Sequence, residues 1–193
     1  MIAAIEGTLE LRGTQWVIIK VGGVSLQIYL PTSTLNQLGA EGERVQLYTH
    51  LHWREDSVAL YGFLSQQELD LFKMLISVDG VGPKVALAML SNLNPEQLVL
   101  AIASGNIDLL TQLPGIGTKT ANRLVVELKS KLEKGWTGAI SSYLTQDNAE
   151  IIAVLTNLGY SASEATKAVA SLPASSALAL EDKIKLALQY LAK

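Results

Sequence analysis

Two lysines, Lys84 and Lys119, each stand two residues beyond a Gly-x-Gly turn, in Gly80-Val81-Gly82-Pro83-Lys84 and Gly115-Ile116-Gly117-Thr118-Lys119. The chemistry such a segment offers is anion binding. Glycine lets the backbone turn tightly and approach a bulky ligand. If a helix starts after the second glycine, its first amides have no intrahelical partner and sit at the positive end of the helix dipole. That is a phosphate site, and the lysine adds a charge to it. Nothing in the segment aims a fork of donors at a base edge, so the unit reads backbone rather than sequence.

Both segments belong to one longer repeat. Leu75, Val78, Gly80, Val81, Gly82, Lys84 and Ala86 recur as Leu110, Leu113, Gly115, Ile116, Gly117, Lys119 and Ala121, at a constant offset of 35 residues. A repeat this local implies one supersecondary unit used twice. The spacing predicts a helix ending near Ile76 or Thr111, a turn, and a new helix just after the second glycine. Val81 and Ile116 are expected to point inward and pin each hairpin. A single copy is equally well explained as an inert glycine turn in a helical bundle. Two copies with lysine at the same offset favour binding to DNA backbones.

Other chemistry fits poorly. A P-loop needs glycine directly before the lysine, where Pro83 and Thr118 stand. A dinucleotide fingerprint needs a third glycine where Val85 and Thr120 stand. His50 and His52 alternate on one strand and share a face, yet no third ligand lies nearby, so a metal site is not expected. The stretch Leu113–Asn122 is similar to the hairpin of base-excision DNA glycosylases. Their catalytic aspartate has no counterpart, because no aspartate follows Lys119 before Asp147. No catalytic constellation, metal or cofactor is expected.

Composition narrows the setting. Of 193 residues, 49% are hydrophobic and 17% charged, enough for packed cores and unlike a disordered chain. The chain contains no cysteine, which excludes disulfides and thiolate metal sites and fits a reducing compartment. Glu6, Glu10 and the missing basic segment make the start a poor signal peptide, and no apolar run nears the ~20 residues of a membrane helix. A soluble, cytoplasmic protein is the expectation. The net charge is −3, with no segment acting as a basic clamp. Backbone amides must therefore carry much of any grip on DNA, and the acids must be placed with care.

The elements that would position these residues follow from periodicity. Alternation over Ile2–Leu11, Trp16–Val21, Val24–Leu30, Arg44–Trp53 and Val58–Phe63 predicts five strands, with a helical turn at Thr32–Leu38. That pattern suggests a small closed barrel of the OB type, although any five-stranded meander alternates alike. Ser65 to Glu68 is a capping box, and Asn94-Pro95-Glu96-Gln97 opens another helix. Helical periodicity then runs to Lys134, broken at Gly80–Pro83, Gly105 and Pro114–Gly117. The division is a barrel over 1–63, a tandem helix-hairpin-helix domain over 64–134, a linker over 135–147 and a small three-helix bundle over 148–193. The fold class is thus α+β and multidomain.

In order and spacing, Arg54-Glu55-Asp56 with Leu60-Tyr61-Gly62-Phe63, Asp79 to Lys84, Leu113 to Ala121, and Leu158-Gly159-Tyr160 with Glu164-Ala165 carry a resemblance. Over essentially its whole length the chain resembles the RuvA family of Holliday junction branch-migration proteins. The resemblance implies a homotetramer, or an octamer on DNA, whose barrels form a four-fold surface for the arms of a four-way junction. It puts an acidic pin at Glu55 and Asp56. Backbone contacts fall on Gly80, Val81, Gly82, Lys84, Gly115, Ile116, Gly117, Thr118 and Lys119, with Arg123 one turn on. Many relatives carry lysine where this chain has Thr118, which implies less electrostatic help at the second hairpin. The terminal bundle, UBA-like in this family, implies docking of a hexameric ATPase motor of the RuvB type, with Leu155, Leu158, Tyr160 and Leu188 as contacts. A RuvC-type resolvase is a further partner on the same ground. The alternative reading of the residues is a general helix-hairpin-helix accessory subunit that brings a nuclease or other enzyme to duplex DNA.

Overall fold

The computed structural model describes residues 1–55, 57–135, 146–172 and 179–191. They form two compact units, Met1–Ser77 with Gly82–Asn92, and Val78–Val81 with Leu93–Lys193.

The first unit is built on a closed barrel. Strands β1 (Ala4–Arg12), β2 (Trp16–Val21), β3 (Val24–Tyr29), β4 (Arg44–Trp53) and β5 (Val58–Phe63) pair in the order β1-β2-β3-β5-β4. This is the OB-type closure, with β3 and β5 the parallel pair. A register shift between Leu9 and Leu11 bends β1, so its first half pairs with β4 and its second with β2. Such a bulge is a common device for curving a strand around a small barrel. Alternate residues fill the interior, among them Leu9, Val17, Ile19, Ile28 and Leu47, each fully buried. β1 starts two residues later than the alternation suggests, at Ala4.

Helix α1 (Thr32–Gln37) fills the connection from β3 to β4, where a helical turn was expected. The Thr32 amide donates to Ser91 Oγ, and Ser33 Oγ donates to the Leu90 carbonyl, both at 2.9 Å. These bonds tie α1 to helix α3 (Pro83–Asn92). Helix α2 (Gln66–Ile76) lies against the barrel through Phe72, whose ring meets those of Phe63 at 4.9 Å and Tyr61 at 5.2 Å. Ser65 caps α2 by accepting from the Glu68 amide at 3.1 Å, while the Glu68 carboxylate accepts from Leu64, one residue before the cap.

The second unit is helical. It contains α4 (Pro95–Ala103), α5 (Ile107–Thr111), α6 (Thr118–Gly135), α7 (Gln146–Asn157), α8 (Ala162–Ala170) and α9 (Leu180–Leu191). Asn94 and Gln97 form the reciprocal capping box that opens α4, with proline in its first turn. The last three helices enclose Ile151, Leu155, Ala165, Ala168, Val169 and Ala187, and Leu100 of α4 completes that core. The terminal bundle therefore packs on the helix that precedes the second hairpin. Most of the linker expected over 135–147 lies outside the described residues.

Candidate nucleic-acid interface

Three backbone bonds recur in the two hairpins at the same offset. In the first, the Ser77 amide donates to Met74 O, Val81 to Val78 O, and Ala86 to Gly82 O. In the second, the same bonds run from Gln112 to Leu109, Ile116 to Leu113, and Ala121 to Gly117. Gly80 and Gly115 hold φ of 91° and 81°, left-handed values at which a side chain is strained. The repeat therefore fixes one backbone path twice.

Burial also repeats. Val78 and Leu113, Val81 and Ile116, and Ala86 and Ala121 are all buried, so the hydrophobic residue between the glycines anchors each turn from below. The side chains of Val81 and Ile116 face the protein, and their amides bond within the turn. The amides without an acceptor lie one step further on.

Gly82 and Gly117 are the N-caps of α3 and α6, since their carbonyls accept the first helical bond of each. Four other helices are capped by side chains: Ser65, Asn94, Asn106 and Ser161 accept from an amide in the first turn of α2, α4, α5 and α8. Glycine has no atom to do so. Among the described residues nothing accepts from the amides of Gly82, Lys84 and Val85, or of Gly117, Thr118, Lys119 and Thr120. The space above is empty as well, because a β-carbon on Gly82 or Gly117 would meet no atom within 4 Å. Neither has the left-handed φ that would demand glycine. The fold itself gives no reason for glycine at these positions. Lys84 and Lys119 are exposed, and among the described residues no carboxylate pairs with either. Proline at position 83 withholds an amide that Thr118 supplies, so the second hairpin has one more donor where it lacks a second lysine.

Arg123 has a role that spacing did not reveal. Its guanidinium bonds the Asp79 carboxylate and, at 3.1 Å, the Asp79 carbonyl; it also lies 3.9 Å from Glu127. Helix α6 thereby grips the turn of the first hairpin. The pair also offsets the charge of the acid in that turn. Residues 44 apart leave no local pattern that would announce this contact.

At the far end of the barrel, Trp53 and Val58 face each other across β4 and β5, and Arg54 and Ser57 exchange backbone bonds of 2.9 and 3.4 Å. The loop left between them is Glu55-Asp56. Glu55 is exposed, and Asp56 lies outside the described residues. Arg54 donates through Nε to His52 Nε2 at 3.0 Å, and the His52 ring stands edge-on to Tyr61. His50 packs on Phe72; burial, then neighbouring His52 and Lys73, hold its pKa below the usual histidine value.

Of the expected motor contacts, Leu158 is 59% exposed, whereas Tyr160 and Leu188 are half-buried against the bundle core. Leu155 is completely buried between the three helices, so it holds the bundle together and cannot touch a partner.

Three family models match in sequence order: the RuvA N terminal domain over residues 1–62, a SAM-like helix-hairpin-helix tandem over 72–130, and the RuvA C-terminal domain over 146–192. Curated relatives named "Holliday junction branch migration complex subunit RuvA" match along nearly their full length. That of Dehalococcoides mccartyi is 49% identical and that of Herpetosiphon aurantiacus 47%, each over 98% of both chains. That of Geobacter sp. is 40% identical over the whole of both.

Proposed function

The chain belongs to the RuvA family, and on that premise we propose that it is the subunit of a branch-migration complex that binds four-way junction DNA and has no catalytic site of its own. The observation that carries this reading is the pair of glycine-capped helices, α3 and α6, whose open amides stand beside an exposed lysine. Each such helix end contributes only about 0.3–1 kcal/mol toward an exposed anion. A single chain with two of them is too weak a binder. A four-fold homo-oligomer multiplies the sites to eight and brings the sum to several kcal/mol, so assembly is part of the function.

The division of labour follows the three regions: a barrel over 1–63 that assembles and faces the crossover, hairpins over 64–134 that hold the arms, and a bundle over 148–193 that docks a motor through the surface carrying Leu158, Tyr160 and Leu188. Glu55 and Asp56 enter the crossover as a pin. A carboxylate about 7 Å from a phosphate in water repels it by about 0.6 kcal/mol. Eight of them amount to about 5 kcal/mol, comparable with roughly three or four stacked base-pair steps at ~1.4 kcal/mol each. That is enough to part strands locally and too little to drive net migration, so the work comes from a hexameric ATPase of the RuvB type. A RuvC-type resolvase is a further partner of the same junction, and the place of action is the cytoplasm.

The test is a gel shift at fixed salt with a four-way junction and a linear duplex of equal length. A clear preference for the junction is expected. Equal affinity would instead identify a general helix-hairpin-helix accessory subunit for duplex DNA.

A further inference from the structure

The β4–β5 hairpin runs past the end of the barrel, and its core-facing side runs with it. Along β4 that side carries Val45, Leu47, Thr49 and Leu51, and alternation places Trp53 next. On β5, Leu60 lies opposite Leu51, and Val58 lies opposite Trp53. Leu60 is buried, yet Trp53 is 76% and Val58 62% exposed. Two large apolar side chains thus stand on the apolar side of a strand pair where no core receives them. Because Arg54 and Ser57 form the hydrogen-bonded pair, Trp53 and Val58 form the adjacent non-bonded pair, the kind in which side chains stand closest. As exposed cross-strand neighbours they make one small apolar facet next to the turn that carries Glu55.

We propose that this facet is a stacking platform for a nucleobase at the crossover of a bound junction. The proposal rests on reading the hairpin as the pin. The facet is one indole and one isopropyl group, far below the roughly 1,000 Å² that a stable protein interface needs. It suits the face of a single base. Glu55 beside it repels phosphate and leaves a neutral base unopposed, so the charge pattern selects base over backbone. Bases at a crossover are those whose own stack is interrupted. Stacking on an aromatic ring accepts any base, which accords with hairpins blind to sequence.

The experiment places 2-aminopurine next to the crossover of a four-way junction and reads its fluorescence with saturating full-length protein, either parent, Trp53→Phe or Trp53→Ala. The parent is expected to quench the probe, Trp53→Phe to keep part of the quenching, and Trp53→Ala to lose it. Quenching by Trp53→Ala equal to the parent's overturns the proposal. So does a Trp53→Ala protein that no longer assembles in native mass spectrometry, because the facet would then be a contact between copies of the chain. A parent that binds the junction no better than linear duplex refutes the pin reading itself, and the gel shift distinguishes that failure from the other two.

Discussion

Gly82 and Gly117 sit where serine, asparagine and aspartate are the preferred caps, and this chain uses such caps on four other helices. Replacing both with serine offers each helix its usual cap: the new hydroxyl accepts from the same amides a phosphate would use. Thermal stability of Gly82→Ser/Gly117→Ser should be unchanged or higher by a few tenths of a kcal/mol, because glycine is itself a fair cap. Junction binding should weaken at least about tenfold, since a hydrogen bond to a charged group contributes roughly 1.5–3 kcal/mol. Calorimetry and a gel shift on the same preparation check both halves; undiminished binding by a folded double variant would sink the phosphate-site reading. Gly80→Ala should do the opposite. Its left-handed φ makes a β-carbon cost about 1 kcal/mol of stability in the melt.

At the scale of elements, two seams decide how the sites are held. The first is the grip of α6 on the first turn through Arg123 and Asp79. If Arg123 acts as a brace, Asp79→Ala and Arg123→Ala should weaken junction binding by similar factors, and the double variant by no more than either alone. Stability should move by less than about 1 kcal/mol, as expected of an exposed ion pair. If Arg123 bound phosphate directly, removing the acid beside it would tighten binding, and that result in a titration would refute the brace. The second seam joins α2 to the barrel through Phe72, His50 and Tyr61. Burial lowers the pKa of His50 in the fold, so the unfolded chain takes up a proton first as pH falls. The contribution of a neutral His50 is complete above the ordinary value of 6.5 and is lost as pH drops through the lowered one. Melting temperature should therefore decline on acidification from pH 7 to 5, and His50→Gln should flatten that part of the profile.

The whole molecule carries a formal charge of −3 and still has to hold a polyanion. If the open amides and the lysines beside them do this locally, as proposed, binding should depend on salt through only a few phosphate neutralisations per chain. In a plot of log affinity against log salt, Lys119→Ala should lower the slope by about one for each phosphate it leaves without a cation, while preference for the junction over duplex persists. A slope that stays the same would mean that Lys119 is a bystander. The packing of Leu100 into the core of the terminal bundle adds a constraint at this scale. In this arrangement the bundle shares apolar surface with α4, and Leu158 remains exposed.

Much of this was legible in one dimension because the relevant physics is local. Alternation marks strands, Ser65 and Asn94 mark helix starts, and a left-handed glycine recurring 35 residues later marks a turn used twice. The five strands, the hairpins and their lysines followed from such signals, whereas alternation alone left barrel closure open against a meander. What sequence could not supply depends on groups distant along the chain or on solvent exposure. Periodicity gives Leu155 and Leu158 similar standing, and only packing buries the first and exposes the second. The same holds for Arg123, drawn to an acid 44 residues away, and for Trp53, whose alternation says inward although the barrel has already ended. A strand's face is set by its neighbours in sequence, but what covers that face is set by the three-dimensional extent of the core.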